Sequence, residues 1–330
     1  MKRIAILALA LALLATAAVA QKIDKPVTIV CSFGAGGGTD LVNRALAEGM
    51  KDYLGVQVNV QNMTGAGGGI AQEYVWGKDR DGLTILGCSE TNLMIPANAA
   101  HTTTAKDWQY FWAGGSPGVV MVPAKSPFKD FEDLVTYAKK NPKKVKVAAA
   151  VLPGVWSLKW ITLTKEAGID TTVLPYSGSA PAVTAVLTGE VDVLHVSAGE
   201  ALAYMQTGAL RPLIATEVEA LDIPKVGKVE PIVKMFPDLK KVLPMPQLLG
   251  IAVPADTPAA IEAQLTAAFE AAMKSDAVKK ILAQQLATPF ALSGDKANDL
   301  SKAMESKFSW AMLDLGIAKK NPAELGIPKP

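Results

Sequence analysis

The sequence VTIVCSFGAGGGTD occupies residues 27–40 and decides the fold of this 330-residue chain. An apolar run, Val27–Cys31, is followed by the glycine loop Phe33–Thr39. After the loop, apolar residues recur at helical spacing, beginning with Leu41 and Ala45. This order predicts a strand, a tight glycine turn and a helix.

The same unit follows a second time. Residues 56–60 read VQVNV, the loop GAGGG spans Gly65–Gly69, and a helix is predicted over Ile70–Trp76, before a third strand, LTILGC, at 83–88. Because parallel neighbours need a connection long enough to hold a helix, this alternation predicts a parallel sheet. Right-handed units place their strand-to-helix turns on one edge, so both glycine loops are expected at the carboxyl edge, facing one cleft.

The alternation of strands and helices continues along the chain. Further strands are predicted at Val119–Val122, Val145–Ala150, Thr172–Pro175, Val191–Val196, Leu210–Thr216 and 248–254, and further helices at Pro258–Met273, Asp276–Gln285 and Lys296–Gly316. The proline- and lysine-rich stretch 217–247 is interpreted as a connection. Because the last helices cannot bury their apolar faces alone, they are expected to pack on the first sheet. The prediction is an α/β protein with a first lobe built from 21–121 and 226–330, an inserted second lobe, 122–225, and a cleft between them.

The first 20 residues have a pattern of their own. Met1, Lys2 and Arg3 precede an apolar run, Ile4–Ala20, that ends in Ala-Val-Ala. This predicts a secretory signal peptide cleaved after Ala20. A membrane anchor is the alternative, and it is disfavoured because the ending suits signal peptidase and no comparable run recurs later in the sequence.

Composition and charge narrow the class of partner. Half of the residues are apolar and 19% are charged, which is typical of globular proteins. Removal of Lys2 and Arg3 with the signal peptide leaves equal numbers of basic and acidic residues. A neutral chain argues against binding nucleic acid or an anionic membrane surface. Only three arginines remain, Arg44, Arg80 and Arg211, so an anion site has to use lysine or backbone N–H groups.

Cysteines and histidines are few. The sequence contains no cluster of possible metal ligands, since Cys31, Cys88, His101 and His195 lie far from one another. No metal site is therefore predicted. In a sheet with strand order 2-1-3 the first and third strands are neighbours, and the two thiols are therefore expected close together. Two buried thiols are favoured over a disulfide, because adjacent strands lie about 4.8 Å apart, at the short end of the disulfide range.

A glycine loop between a strand and a helix presents unpaired N–H groups and the positive end of the helix dipole to an anion. A dinucleotide site needs glycine where the chain has Thr39 and an acid where it has Asn62. A phosphate loop needs Ser or Thr after Gly-Lys, yet the two Gly-Lys pairs are followed by Asp79 and Val229. A small carboxylate bound without a cofactor fits, and tight turns that bind nothing are the alternative.

Four segments together resemble one known family. They are FGAGGGTD at Phe33–Asp40, QNMTGAGGGIA at Gln61–Ala71, DGLTILGCSET at Asp81–Thr91, and LPYSGSAPAVTAVLTGEVDV at Leu174–Val193. They are similar to the solute-binding proteins of tripartite tricarboxylate transporters, the Bug family. The resemblance implies a two-lobed periplasmic binding protein of type II with a mostly parallel sheet in each lobe. Such a protein is a periplasmic monomer without catalysis, metal or cofactor, and it delivers a small organic carboxylate to membrane permease subunits.

The resemblance also implies which residues contact the ligand. One ligand carboxylate would meet the loops after the first and third strands, and the other end of the ligand would meet two loops of the second lobe. The implied contacts are Phe33, Gly36, Gly37, Gly38, Thr39, Ser89, Thr91, Pro153, Gly154, Trp156, Ser157, Tyr176, Ser177, Gly178, Ser179 and His195. Asp40 would be structural, at the start of the helix.

The chain departs from the family pattern at two places. The loop after Ala150 reads VLPGVWSLKW, so Trp156 either packs inside the lobe or narrows the cleft around an apolar ligand body. Relatives often carry an acid, suited to a ligand amino group, after the strand that ends here at Leu194. The chain has His195, Val196 and Ser197 there, so a required amino group on the ligand is not expected. A core position is the alternative for His195.

An exported α/β enzyme of the hydrolase kind, using the same cleft, is the alternative function. It needs a nucleophile beside a base, and neither His101 nor His195 adjoins a serine and an acid in a recognisable motif.

Overall fold

The structure is a computed structural model that describes residues 22–330, so the expected signal peptide lies outside the described residues. The strands are β1 Val27–Cys31, β2 Val58–Asn62, β3 Thr84–Ser89, β4 Trp108–Gly115, β5 Gly118–Pro123, β6 Lys146–Ala148, β7 Thr172–Leu174, β8 Val193–Ser197, β9 Leu210–Ala215, β10 Leu221–Ile223, β11 Gly227–Val229, β12 Leu249–Pro254 and β13 Thr288–Leu292. The α-helices are α1 Gly38–Leu54, α2 Gly69–Trp76, α3 Phe131–Lys140, α4 Val155–Ala167, α5 Ser179–Thr188, α6 Leu202–Gln206, α7 Ala259–Lys274, α8 Asp276–Gln284 and α9 Gly294–Asp314. Within 22–330, no helix has both the length and the apolar character needed to cross a membrane.

The first sheet has six strands in the order β13-β4-β12-β3-β1-β2. The strands β2, β1 and β3 form a parallel block, in which Val27 pairs with Val58 and Ile29 pairs with Ile85. This confirms the predicted 2-1-3 order. The strands β12, β4 and β13 extend the block with antiparallel pairs.

The second sheet has five strands in the order β7-β6-β8-β5-β9. Here β6 is parallel to β7 and β8, and β5 is antiparallel to β8 and β9. The two-lobed α/β class is confirmed, and both sheets are mixed rather than mostly parallel. The reason is that a parallel neighbour needs a helical crossover, and no α-helix directly precedes β4, β5 or β12.

Three parts of the fold were not predicted. The strands β4 and β13 have no counterpart in the sequence-based prediction, and the stretch 217–247 holds the hairpin β10–β11 and two 3₁₀ turns, Ile232–Lys234 and Pro237–Lys241. The strand β4 is WQYFWAGG and is buried along almost its whole length, so it lacks the polar–apolar alternation that marks a strand with one exposed face.

The C-terminal helices pack on the first sheet, as predicted. On one face, α1, α7 and α8 cover a core that contains Leu46, Phe111 and Phe269, and the two phenylalanine rings lie 5.6 Å apart. On the other face, the Trp112 indole N–H of β4 donates a 2.9 Å hydrogen bond to Ser301 Oγ of α9. Both chain ends therefore build one lobe around the first sheet.

The chain passes between the two sheets at two places. It leaves β4 at Gly115 and enters β5 of the second sheet at Gly118, four residues before the boundary at 122. It returns to the first sheet when β12 begins at Leu249. The exact division into 21–121, 122–225 and 226–330 remains a proposal.

The two cysteines are free and fully buried. The strands that carry them are neighbours, as predicted, but Cys31 pairs with Gly87, the residue before Cys88. Because successive residues of a strand point to opposite faces, the two thiols project to opposite faces of the sheet. The preference for two thiols is confirmed, whereas their expected closeness holds for the strands and not for the side chains.

Both thiols are expected to resist thiol reagents in the folded protein. Burial raises the pKa of Cys31 to about 12 and the pKa of Cys88 well above its ordinary value, so little thiolate forms at pH 8. Titration with Ellman's reagent should give no fast reaction in buffer and two thiols after denaturation without reductant. A fast thiol in the native protein, or fewer than two after denaturation, would contradict this result.

Candidate functional site

A cavity of about 40 Å³ lies between the lobes, at the edge of the first sheet where β1 and β3 end. Both glycine loops of the sequence reach this region. A Cβ built on Gly34 would lie 3.7 Å from the carbonyl oxygen of Ser177, and a Cβ on Gly67 would lie 3.7 Å from that of Pro153. Because Ser177 and Pro153 belong to the second lobe, both loops face it, as predicted.

The second glycine loop needs its glycines for backbone conformation. Gly65, Gly67 and Gly68 all have positive φ angles, and Ala66 between them has φ 49°. This run of left-handed residues turns the chain from β2 into α2 within a few residues. The loop lines a groove beside the cavity rather than the cavity itself.

The first glycine loop ends at the N-terminus of α1, with Gly37 as the capping residue. Asp40 holds the loop in place, because its carboxylate accepts hydrogen bonds from the Gly36 N–H at 2.9 Å and from Asn62 Nδ2 at 2.8 Å. Arg44 pairs with the same carboxylate at 2.9 Å. Asp40 therefore has the structural position that the sequence analysis expected.

A carboxylate from the second lobe sits on this helix N-terminus. Glu200 Oε1 accepts a 2.7 Å hydrogen bond from the Gly38 N–H, and Glu200 Oε2 accepts a 2.8 Å bond from Ser197 Oγ. Glu200 lies in the turn after β8, so this contact joins the two lobes. An acidic side chain of the protein thus occupies the place where the resemblance put a ligand carboxylate.

A second acid lies on the first-lobe wall of the cavity, after β3. Glu90 Oε2 accepts a 2.8 Å hydrogen bond from the Leu248 N–H, and Oε1 accepts one of 3.2 Å from Thr91 Oγ1. The side chain is almost fully buried. Burial raises the pKa of Glu90 from 4.5 to about 7, so the carboxyl changes its charge near neutral pH.

Two helices of the second lobe begin at the opposite wall. Gly154 precedes α4, and Ser157 Oγ accepts a 2.9 Å hydrogen bond from the Gly154 N–H. Gly178 precedes α5, which starts at Ser179. Helix N-termini carry partial positive charge and unpaired N–H groups, so this wall is suited to a negative ligand group.

The structure brings ten of the sixteen residues implied by the resemblance to the cavity wall. They are Phe33, Gly37, Gly38, Thr39, Ser89, Thr91, Gly154, Trp156, Gly178 and Ser179. The neighbouring groove is lined by Pro153, Tyr176 and Ser177. Gly36 and Ser157 instead make the local hydrogen bonds described above, with Asp40 and Gly154 respectively. The sixteenth residue, His195, lies away from the cavity in the second lobe.

His195 and Trp156 pack together. His195 is fully buried, its Nε2 lies 2.9 Å from Thr216 Oγ1, and its ring centroid lies 5.7 Å from that of Trp156. Burial, helped by the nearby charge of Lys159, lowers the pKa of His195 to about 3, so the ring is neutral. His195 therefore takes the core position named as its alternative, and Trp156 is a buried residue with one side on the cavity.

Three polar or charged cavity residues were missed by sequence reasoning: Glu90, Glu200 and Gln247. Glu90 stands directly between Ser89 and Thr91, so its position gave a signal that was not used. Glu200 lies three residues beyond Ser197, outside the stretch 195–197 in which the family pattern places an acid. Of the cavity-lining residues within 22–330, none is lysine, arginine or histidine.

The sequence GGSPG at 114–118 matches the nucleophile motif G-x-S-x-G of hydrolases. That motif requires a turn from a strand into a helix, and here it joins two strands, β4 and β5. Ser116 Oγ donates a 2.7 Å hydrogen bond to the carbonyl oxygen of Gln285. Ser116 is therefore a structural residue at the crossing between the lobes.

Comparisons with known proteins agree on one family. The model of the tripartite tricarboxylate transporter family receptor matches residues 42–311. A protein of Cupriavidus necator, described as a UPF0065 protein, is 29% identical over 320 residues, which cover 94% of each chain. Among solved structures, the periplasmic binding protein BugD has a TM-score of 0.80 at 23% identity, with 90% of this chain and 100% of that chain covered.

A further solved structure, MatC from Rhodopseudomonas palustris with bound malate, has a TM-score of 0.78 at 23% identity, and covers 87% of this chain and 99% of that chain. These two structures show that the fold is that of a periplasmic binding protein. The match of the family model extends over most of the sequence and includes the second-lobe segments that line the cavity, whereas the first glycine loop precedes the matched residues. The chain therefore belongs to the tripartite tricarboxylate transporter receptor family.

Proposed function

We propose that this protein is a periplasmic solute-binding protein that captures a small organic carboxylate between its lobes. It delivers the ligand to the membrane permease subunits of a tripartite tricarboxylate-type transporter. The observation that carries the proposal is the wall formed by the N-termini of α4 and α5, facing the N-terminus of α1 across the cavity. The malate bound by MatC, which shares the fold, supports a carboxylate as ligand.

Binding without arginine is energetically feasible. Micromolar affinity corresponds to about 8 kcal/mol. A hydrogen bond to a charged group contributes roughly 1.5–3 kcal/mol, so four or five backbone and hydroxyl donors reach that value after the costs of association.

Capture requires the lobes to separate and close, because the cavity is too small for an organic acid to enter. The two connecting segments, 115–118 and 245–249, are joined to each other, since Gln247 Oε1 accepts a 3.1 Å hydrogen bond from the Ser116 N–H. Gln247 also lines the cavity. We infer that the lobes rotate about these two segments and that ligand contact at Gln247 is adjacent to the hinge.

Three measurements test the proposed function. Native mass spectrometry of the purified protein should detect a small bound acid, and calorimetry with mono-, di- and tricarboxylates should give one binding site per chain. Nuclear magnetic resonance of the same mixtures should show unchanged compounds after prolonged incubation. Conversion of a carboxylate into product would favour the enzyme alternative, and no binding across the series would contradict the proposal.

A further inference from the structure

We propose that Glu90 binds the ligand carboxylate as a neutral, protonated acid, and that the protein takes up a proton when it captures its ligand. This inference rests on the proposed function and adds a ligand-contacting residue to the site. The proton comes from the solvent and ends on the Glu90 carboxyl group, and no bond of the ligand changes.

The first argument is the charge of the cavity. Its ionisable lining residues within 22–330 are two acids, Glu90 and Glu200. The Glu200 carboxylate already accepts hydrogen bonds from the Gly38 N–H and the Ser197 hydroxyl. A ligand carboxylate would be a third acidic group in a cavity of about 40 Å³, where like charges repel strongly. A proton on one of the acids removes much of that repulsion.

The second argument is the place of Glu90 beside the wall that is expected to hold the carboxylate. Thr91 Oγ1 lies 3.2 Å from Glu90 Oε1, and it would lie 3.4 Å from a Cβ built on Gly154. Gly154 precedes α4, whose N-terminus belongs to that wall. The Glu90 carboxyl group is therefore separated from this helix N-terminus by one hydroxyl group, and a carboxylate bound there lies beside it.

The third argument is the hydrogen bonding of the two carboxyl oxygens. Glu90 Oε2 accepts a 2.8 Å bond from the Leu248 N–H, whereas Oε1 accepts a longer bond, 3.2 Å, from Thr91 Oγ1. An ionised Glu90 and a ligand carboxylate are both acceptors only, so they cannot hydrogen-bond to each other. A proton on Oε1 leaves the bond from Leu248 intact and makes Oε1 a donor to the ligand.

The surroundings of Glu90 favour its neutral form. Burial raises the pKa of Glu90 to about 7, and the charge of Glu200 acts in the same direction. A ligand carboxylate adds a further negative charge and raises this pKa again. The other titratable groups on the described elements around the cavity are hydrogen-bonded, paired or buried. They are Cys88 on β3, the pair Asp40 and Arg44 on α1, Lys159 on α4 with its partner Glu217, and Glu305 on α9.

Calorimetry in buffers of different ionisation enthalpy measures the proton uptake. The probe is the tightest-binding acid of the mono-, di- and tricarboxylate series, titrated into the wild-type protein and into Glu90→Gln. The difference in uptake between the two proteins cancels the ionisation of the probe itself. This difference should be small at pH 6, where Glu90 is already protonated, and should approach one proton per ligand at pH 8.

The affinities should change in parallel. Glu90→Gln keeps a neutral side chain that accepts from Leu248 and donates through its amide, so it imitates the protonated acid at every pH. It should bind the probe as tightly as the wild type at pH 6. At pH 8 it should bind about tenfold more tightly than the wild type, which has to take up a proton first.

Glu305→Gln is the matched control, because burial raises the pKa of Glu305 to the same value, about 7, and this residue does not line the cavity. It should keep the proton uptake and the affinities of the wild type. A Glu90→Gln variant with the wild-type uptake, or one that binds no more tightly than the wild type at pH 8, would overturn the inference and leave the proposed function intact. No binding by any acid of the series would contradict the proposed function itself.

Thr91→Val is a second variant, and it decides if Glu90→Gln does not fold. It removes the hydroxyl group whose hydrogen bond favours the ionised form of Glu90. The pKa of Glu90 should rise, so the pH of half-maximal proton uptake should move upward from its wild-type value. A midpoint that stays in place or moves downward would show that the proton is taken up elsewhere, which overturns the inference.

Discussion

Replacing Gly199 with alanine is expected to weaken ligand binding by about 100-fold, since displacements near 1 Å at a closed site have effects of this size. Gly199 lies in the turn after β8, and a Cβ there would be 2.0 Å from the carbonyl oxygen of Gln285 at the end of α8. Backbone atoms cannot yield as a flexible side chain does. The added methyl group therefore keeps the lobes apart without disturbing either lobe.

The matched control is Gly77→Ala, the same substitution at a glycine that does not line the cavity. Its Cβ would lie 3.7 Å from the carbonyl oxygen of Glu73, which is an ordinary contact. Calorimetry with the tightest-binding acid of the carboxylate series should show near wild-type affinity for this control and a large loss for Gly199→Ala. Both variants should melt within a few degrees of the wild type. Equal affinities for the two variants would show that the lobes do not close through this contact.

Much of the fold follows from local sequence because each parallel strand is a short apolar run bounded by turn residues. Val27–Cys31 is observed with the predicted bounds, and the parallel block β2-β1-β3 follows from the helices between its strands. The strand β4 was missed because it is apolar on both faces and pairs with β12, far along the chain. The strand β13 is a short edge strand that contains Pro289, so its sequence carries little strand signal.

The functional site, like the fold, has one part that could be predicted from the sequence and one part that could not. Residues that follow directly after β1 and β3, such as Gly38 and Thr91, were found because strand ends and helix starts are visible in the sequence. The contact between Gly38 and Glu200 joins residues 162 positions apart and forms only where the two lobes meet. No local sequence pattern encodes this contact. The negative charge that Glu200 brings to the cavity was therefore not predicted.

Glu90 is expected to make the protein less stable as the pH rises. The pKa of its carboxyl is about 7 in the folded protein, against 4.5 as the ordinary value. Between these pH values the folded state holds a proton that the unfolded state has lost, so the free energy of unfolding falls as pH increases. The contribution is fully present below about pH 4.5 and lost above about pH 7, and it amounts to about 3 kcal/mol.

Glu90→Gln removes this contribution and can keep both hydrogen bonds, because its carbonyl oxygen accepts from the Leu248 N–H and its amide faces Thr91 Oγ1. Urea unfolding at pH 5, 6, 7 and 8 measures the stability of the variant minus that of the wild type. This difference should rise by about 2–3 kcal/mol across the series. Taking the difference cancels the contributions of the other titrating groups to the pH dependence. These include Glu305, whose pKa is raised by burial to about 7, and His195, whose contribution has the opposite sign.

The control is Glu48→Gln, at an exposed position of α1, which should give a stability difference that does not change with pH. A flat difference for Glu90→Gln as well would show that Glu90 is ionised at little cost, and that the cavity is more polar than its burial indicates.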